Sequence, residues 1–168
     1  MYLSELEEYV SNFGQPKFRA VQLYKWLQSG VSSFDEMTNI PASFRLEPDK
    51  AAYIAGVKIC RRYASKLDET VKYVYELYDG EYIESVLMKY EHGYTVCIST
   101  QVGCRMGCAF CASGINGRTR DLTAPEMCAQ ITAAERDNGI RVSNIVMMGM
   151  GEPLDNFDNT VRFLKLVS

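Results

Sequence analysis

Apolar and polar residues follow two different rhythms along this chain, and the change of rhythm divides it. Residues 1 to about 46 repeat their apolar positions every three or four residues, as a helix does when one face meets a core. A first helix is predicted to open at Ser4, whose hydroxyl can accept from the backbone of Glu7 while Glu7 reaches back, and to stop near Gly14. A second should start at Pro16, where a missing N–H costs nothing, carry Phe18, Val21, Leu23, Trp26 and Leu27, and end at Gly30. Pro41 closes this unit. From Lys72 to about Ser99 the period becomes two, with turn signals at Asp79-Gly80 and Glu91-His92-Gly93, which predicts an antiparallel meander. Thr123 and Glu126 then form a second capping box, opening a helix with Met127, Ile131 and Ala134 on one face and Gly139 past its end. The short apolar run Asn144 to Met148 suits a strand covered on both faces, and residues from Asp158 to about Val167 should be helical. Strand, cysteine loop, helix, strand, glycine loop, helix is a βαβα order, which predicts a parallel sheet with ligands at the carboxyl ends of its strands.

Composition narrows the class without choosing a function. Hydrophobic residues at 47% and charged residues at 23% argue against disorder. Eighteen basic against twenty-one acidic residues leave a net charge of −3, so the chain as a whole does not attract a phosphate backbone. Lys17, Arg19 and Lys25 on the second helix could touch phosphate, although a solvated face is the ordinary reading of such a run. The start has no basic n-region, and no stretch reaches the roughly 20 apolar residues of a membrane span. A cytoplasmic chain, monomeric and free of membrane, is therefore expected, with its six cysteines reduced and available for metal or chemistry.

Cys104, Cys108 and Cys111 form CxxxCxxC inside GCRMGCAFCASG, where glycines let the backbone curl tightly. Three thiolates leave one coordination position open. Structural zinc normally takes four ligands, and the single histidine, His92, is poorly placed to be the fourth. A [4Fe–4S] cluster held by three cysteines instead leaves one iron free for a ligand. Zinc, or three cysteines buried as small hydrophobes, are the alternatives. Gly149-Met150-Gly151-Glu152-Pro153 follows the next strand, and Glu152 offers a charge-assisted acceptor for an ammonium group.

The cysteine motif with Phe110 just ahead of its third cysteine, coupled to GMGEP, resembles the radical S-adenosylmethionine (SAM) superfamily. The segments FGQPKFRAVQLYKWL, IESVLM, TVCISTQVGCRMGCAFCASG, RDLTAPE and IVMMGMGEPLDN make the chain similar to the RlmN/Cfr family of RNA methyltransferases, which alkylate C2 or C8 of adenosine. The resemblance implies a truncated radical-SAM partial (β/α) barrel, an α/β fold with a small N-terminal helical domain and an antiparallel β-meander. Its divisions would be a helical accessory domain at 1–46, a connecting segment with the meander at 47–94, and the first part of the radical SAM core at 95–168. It implies cluster ligation by Cys104, Cys108 and Cys111, and SAM binding by Phe110, Met150, Gly151 and Glu152.

By the same resemblance Glu84 would be the proton acceptor, and Cys97 the thiol that resolves a covalent protein–RNA adduct formed through a methylated cysteine. The expected substrate is C2 of an adenosine in 23S rRNA, with tRNA a further candidate, and the electron donor would be a flavodoxin or ferredoxin. Without the resemblance, Cys97 reads as a small buried hydrophobe and Glu84 as a solvated strand residue. Cys60 and Cys128 match no role and are assigned to packing. Lys89 and Asp121 depart from residues common in the family. The family's methyl-carrying cysteine lies near the C-terminus of a longer chain, and no cysteine follows Cys128 here, so the chain reads as a fragment of the family's pattern. A radical SAM enzyme with a non-RNA substrate, or a non-catalytic iron–sulfur or zinc module, are the other readings.

Overall fold

The computed structural model describes residues 1–31, 33–45 and 53–168. The chain divides into two units, Met1–Gly56 and Val57–Ser168. The expected boundary at 46–47 lies outside the described residues.

In the first unit, helix α1 spans Leu3–Asn12 and helix α2 spans Phe18–Gln28. The capping register of α1 differs from the one predicted. Ser4 lies inside the helix, and it is the Glu5 carboxylate that accepts from the Tyr2 N–H at 2.7 Å. An acidic residue is available at both Glu5 and Glu7, so the motif alone did not fix the frame. Likewise α2 begins two residues after Pro16, whose carbonyl accepts from the Arg19 N–H at 2.9 Å. Leu6 and Val10 of α1 meet Ala20 and Leu23 of α2, with Val31, Met37, Ile40 and Phe44 completing a small core. Phe18 and Val21, expected on the apolar face, are exposed, while the small Ala20 is fully buried. Trp26 is tied by its indole N–H to Asn39 Oδ1 at 2.6 Å.

The second unit is a mixed α/β sheet. Its strands are β1 (Lys58–Ala64), β2 (Val71–Glu76), β3 (Tyr82–Tyr90), β4 (Gly93–Cys97) and β7 (Val142–Val146), lying side by side in that order. The first four pair antiparallel, and β4 pairs parallel with β7, as the βαβ order predicts. Helix α3 (Ala124–Asn138) carries the Thr123 cap and Gly139 at φ +62°, and α4 spans Phe157–Val167. One sheet face is the core: Tyr73 and Tyr75 of β2, Ile83 and Leu87 of β3, and Val96 of β4 cluster with Met127, Ile131, Ala134 and Phe163. Strand β7 is not covered on both faces as expected. It is the edge of this sheet among the described residues, and Ser143 and Asn144 are exposed.

Candidate functional site

Strands β4 and β7 are parallel, so the segments leaving their carboxyl ends emerge side by side. After β4 comes the cysteine loop, closed at its base by a separate ribbon in which β5 (Gln101–Gly103) pairs antiparallel with β6 (Arg118–Asp121). The closure is tight. Gly103 has φ +73°, and a Cβ there would lie 1.9 Å from the Gly117 carbonyl oxygen, so only glycine allows the two strands to meet. The Cys104 N–H donates to that same carbonyl at 3.1 Å.

Cys104 is buried at the loop's root, while Cys108 and Cys111 are exposed on one turn, with the Cys111 N–H donating to the Cys108 carbonyl at 3.0 Å. The Ser113 hydroxyl and backbone N–H hold the Cys111 thiol below its ordinary value. Among the described residues, no three His, Cys, Asp or Glu side chains stand together as a metal-holding group. The donor set still suits an iron–sulfur cluster, since three thiols lie in one short loop, with two of them exposed. Phe110 is 94% exposed and contributes nothing to either apolar cluster.

The segment after β7 folds back onto the residues that follow β4. A Cβ on Gly149 would stand 2.7 Å from the Ile98 carbonyl oxygen, and one on Gly151 would stand 2.6 Å from Gln101 Cβ. The close approach these glycines permit is thus to their own chain. The Met150 N–H donates to Ser99 Oγ at 2.9 Å, and the Met150 carbonyl accepts from Thr100 at 2.8 Å. Half-buried Glu152 donates its N–H to Gln101 Oε1 and accepts from the Leu154 N–H through its carboxylate.

Two residues that the sequence did not single out hold these loops together. Gln101 is fully buried, and its amide donates to Asp121 at 2.8 Å and to Asp155 at 3.0 Å while accepting from Glu152. Asp155 also takes the Arg105 guanidinium, from inside the cysteine loop, with Nε to Oδ2 at 2.9 Å. Asp121, the departure noted above, is part of this network and also pairs with Arg118 at 2.7 Å. A glutamine in an alternating segment and an aspartate past a proline carry no sequence signal of such a role.

Glu84 and Cys97 lie on the sheet face opposite the core. In β3 the buried residues are Ile83, Ser85 and Leu87, so Glu84 and Val86 point the other way, and Cys97 is the direct partner of Val86. Glu84 pairs with Lys72 across the strands, Nζ to Oε1 at 2.8 Å. Burial pushes the Cys97 thiol up from its ordinary value, with the Met148 backbone hydrogen bond opposing. Cys128 packs on the core as expected, whereas Cys60 is exposed on β1 and has no packing role.

Residues 1–54 match the family described as the ribosomal RNA large subunit methyltransferase N-terminal domain. Along its length the chain is similar to proteins named probable dual-specificity RNA methyltransferase RlmN. It is 49% identical to the one from Alkaliphilus oremlandii over 99% of this chain, and 50% identical to that of Caldanaerobacter subterraneus over 100%. These alignments cover 48% and 49% of the relatives, so the chain spans about half the length of the curated relatives it matches. A solved radical SAM methyltransferase from Sphaerobacter thermophilus superposes with a TM-score of 0.91 at 40% identity, over 99% of this chain and 50% of that one. The resemblance read from the sequence motifs is therefore borne out in both sequence and fold.

Proposed function

We propose, for a chain that matches about half of an RlmN-type protein, that it carries the cluster and cofactor machinery of a radical SAM RNA methyltransferase acting on C2 of an adenosine in 23S rRNA, with tRNA as a second substrate. Cys104, Cys108 and Cys111 would hold a [4Fe–4S] cluster, and Phe110, Met150, Gly151 and Glu152 would hold SAM. When bound, these groups supply the one-electron chemistry that an unreactive adenine carbon requires, fed by a flavodoxin or ferredoxin. The chain's own residues act around it. Glu84 accepts the proton from the adenine carbon, and the Cys97 thiolate attacks the sulfur of the methyl-carrying cysteine, forming a disulfide as the carbon–sulfur bond to the product breaks. The helical unit 1–46, the meander segment 47–94 and the core segment 95–168 serve as accessory, wall and cofactor platform.

The observation that supports this reading best is the register that turns Glu84 and Cys97 onto one sheet face. Cys97 ends the strand from which the cysteine loop departs. Sharing that face would let the carboxylate and the thiol act on one group lying against it. In the longer protein, Cys97→Ala should still load iron and cleave SAM, yet stall as a covalent protein–RNA species visible on denaturing gels. Normal turnover without a crosslink would overturn the role of Cys97. Full iron content in Cys104→Ala, Cys108→Ala or Cys111→Ala after anaerobic reconstitution would overturn the cluster itself.

A further inference from the structure

The open face of the sheet continues past Glu84 into a cavity of about 650 Å³, within the size range of small-molecule sites. Its walls include Arg61, Tyr63, Lys72, Tyr82 and Glu84. Arg61 and Glu84 both stand opposite Val74, one from each side, so they lie two strand spacings apart, about 10 Å. That is the order of length of a nucleotide.

The charges in this cavity are uneven. Lys72 is neutralised by Glu84 at 2.8 Å. On the same edge strand Lys58 is paired with Glu76 at 3.0 Å and Arg62 with Asp137 at 2.8 Å. Arg61 makes no ion pair among the described residues, and its contact is the Tyr63 hydroxyl, 3.4 Å from Nη1. Tyr63 and Tyr82 are about half exposed, at 51% and 49%. An unpaired guanidinium beside two uncovered aromatic rings is the combination by which proteins hold single-stranded nucleic acid, phosphate on the cation and base on the ring. The net charge of −3 offers no general attraction, so any grip on RNA has to be local.

We infer that this cavity is a subsite for the nucleotide next to the one presented to Glu84, in a single-stranded stretch of RNA, with Arg61 on its phosphate and Tyr63 and Tyr82 against its base. The inference rests on the reading of RNA as substrate and of Glu84 as base.

A fluorescein-labelled, adenine-containing RNA hexanucleotide, titrated against the chain at low salt and followed by anisotropy, tests it. Arg61→Gln should weaken binding several-fold and flatten the dependence of log K on log salt by about 0.7, the share of one phosphate contact on a single strand. Tyr82→Leu should also weaken binding several-fold, but leave the salt slope unchanged. Lys58→Gln, which removes a paired cation from the same strand, should do neither. All three sites are exposed, and far-ultraviolet circular dichroism checks that each variant keeps its sheet. Unchanged affinity in Arg61→Gln and Tyr82→Leu, an equal loss in Lys58→Gln, or no binding by the parent chain would overturn the subsite. Full iron loading in the cysteine variants would strike at the proposed function instead, and would leave these affinity differences standing.

Discussion

Arg105, one residue past the first cysteine of the loop, is clamped to Asp155, two residues past Pro153, with Nε to Oδ2 at 2.9 Å. The pair joins two loops that leave different strands. Arg105, then Gln101, hold the Asp155 carboxyl below the ordinary carboxylate value. A carboxylate held down contributes stability above its unfolded pKa, and loses it as pH falls through the lower folded value. The clamp is therefore intact at neutral pH and should release only below about pH 4. Asp155→Asn should speed amide hydrogen exchange across Cys104–Gly117 at pH 7 and lower iron uptake, leaving the amides of β3 protected.

Glu126 is fully buried at the first turn of α3, where it accepts from Thr123 and pairs with Arg120 at 2.8 Å. Removing one partner of a buried pair strands the other's charge. Glu126→Ala should cost about 3 kcal/mol in urea unfolding, the lower end of the usual range because Arg120 keeps Asp79. Arg120→Met combined with Glu126→Leu should recover part of that loss, since neither charge of the buried pair remains and only the partly exposed Asp79 loses its partner.

Removing the Glu152 carboxylate should weaken SAM binding by about 1.5 to 3 kcal/mol, the scale of a hydrogen bond to a charged group, while iron content stays the same. Equilibrium dialysis of the reconstituted protein measures the first quantity, and a colorimetric iron assay the second. The Glu152 backbone should stay in place, because its N–H is held by Gln101 rather than by its own side chain.

Because burial raises the Cys97 pKa, its thiol should be mostly protonated at pH 8 and slow to alkylate. Its rate should climb only at a more alkaline pH than an ordinary thiol requires. Cys60, exposed on β1, should be carbamidomethylated earlier in the same iodoacetamide time course. Peptide mass spectrometry resolves the two, and equal rates at pH 8 would contradict the half-buried setting of Cys97.

What the sequence made legible was whatever a residue spacing encodes directly. The cysteine motif, the Thr123 cap and the alternation of Ile83, Ser85 and Leu87 all declare themselves within a few positions. Strand β1 did not, because Lys58–Ala64 is almost wholly exposed and owes its form to the ladder with β2 rather than to an apolar face. Long-range polar bridges were equally hidden. Gln130 in α3 accepts from the Ser99 N–H and donates to the Ser99 carbonyl, both at 2.9 Å, serving as a substitute strand partner. Asn156 donates to the carbonyls of Thr100 and Leu122 at 2.9 and 2.7 Å. Nothing in the local pattern around either amide tells it apart from a solvated side chain, since the partner lies dozens of residues away.

The parallel pairing of β4 with β7 also sets a chronology. The other ladders of the sheet join strands that are neighbours in sequence, β1 to β2, β2 to β3 and β3 to β4, and hairpins of that kind close in about 1–10 microseconds. Cys97 and Val146 must instead find each other across the cysteine loop, β6 and α3, and distant contacts of this sort form late. During refolding, the amides of β2 and β3 should gain protection before that of Ile98, whose N–H waits for the Val146 carbonyl. In that interval the three loop cysteines hang from a half-assembled sheet, reachable by whatever delivers iron, while the Gly149–Glu152 segment has yet to arrive beside them.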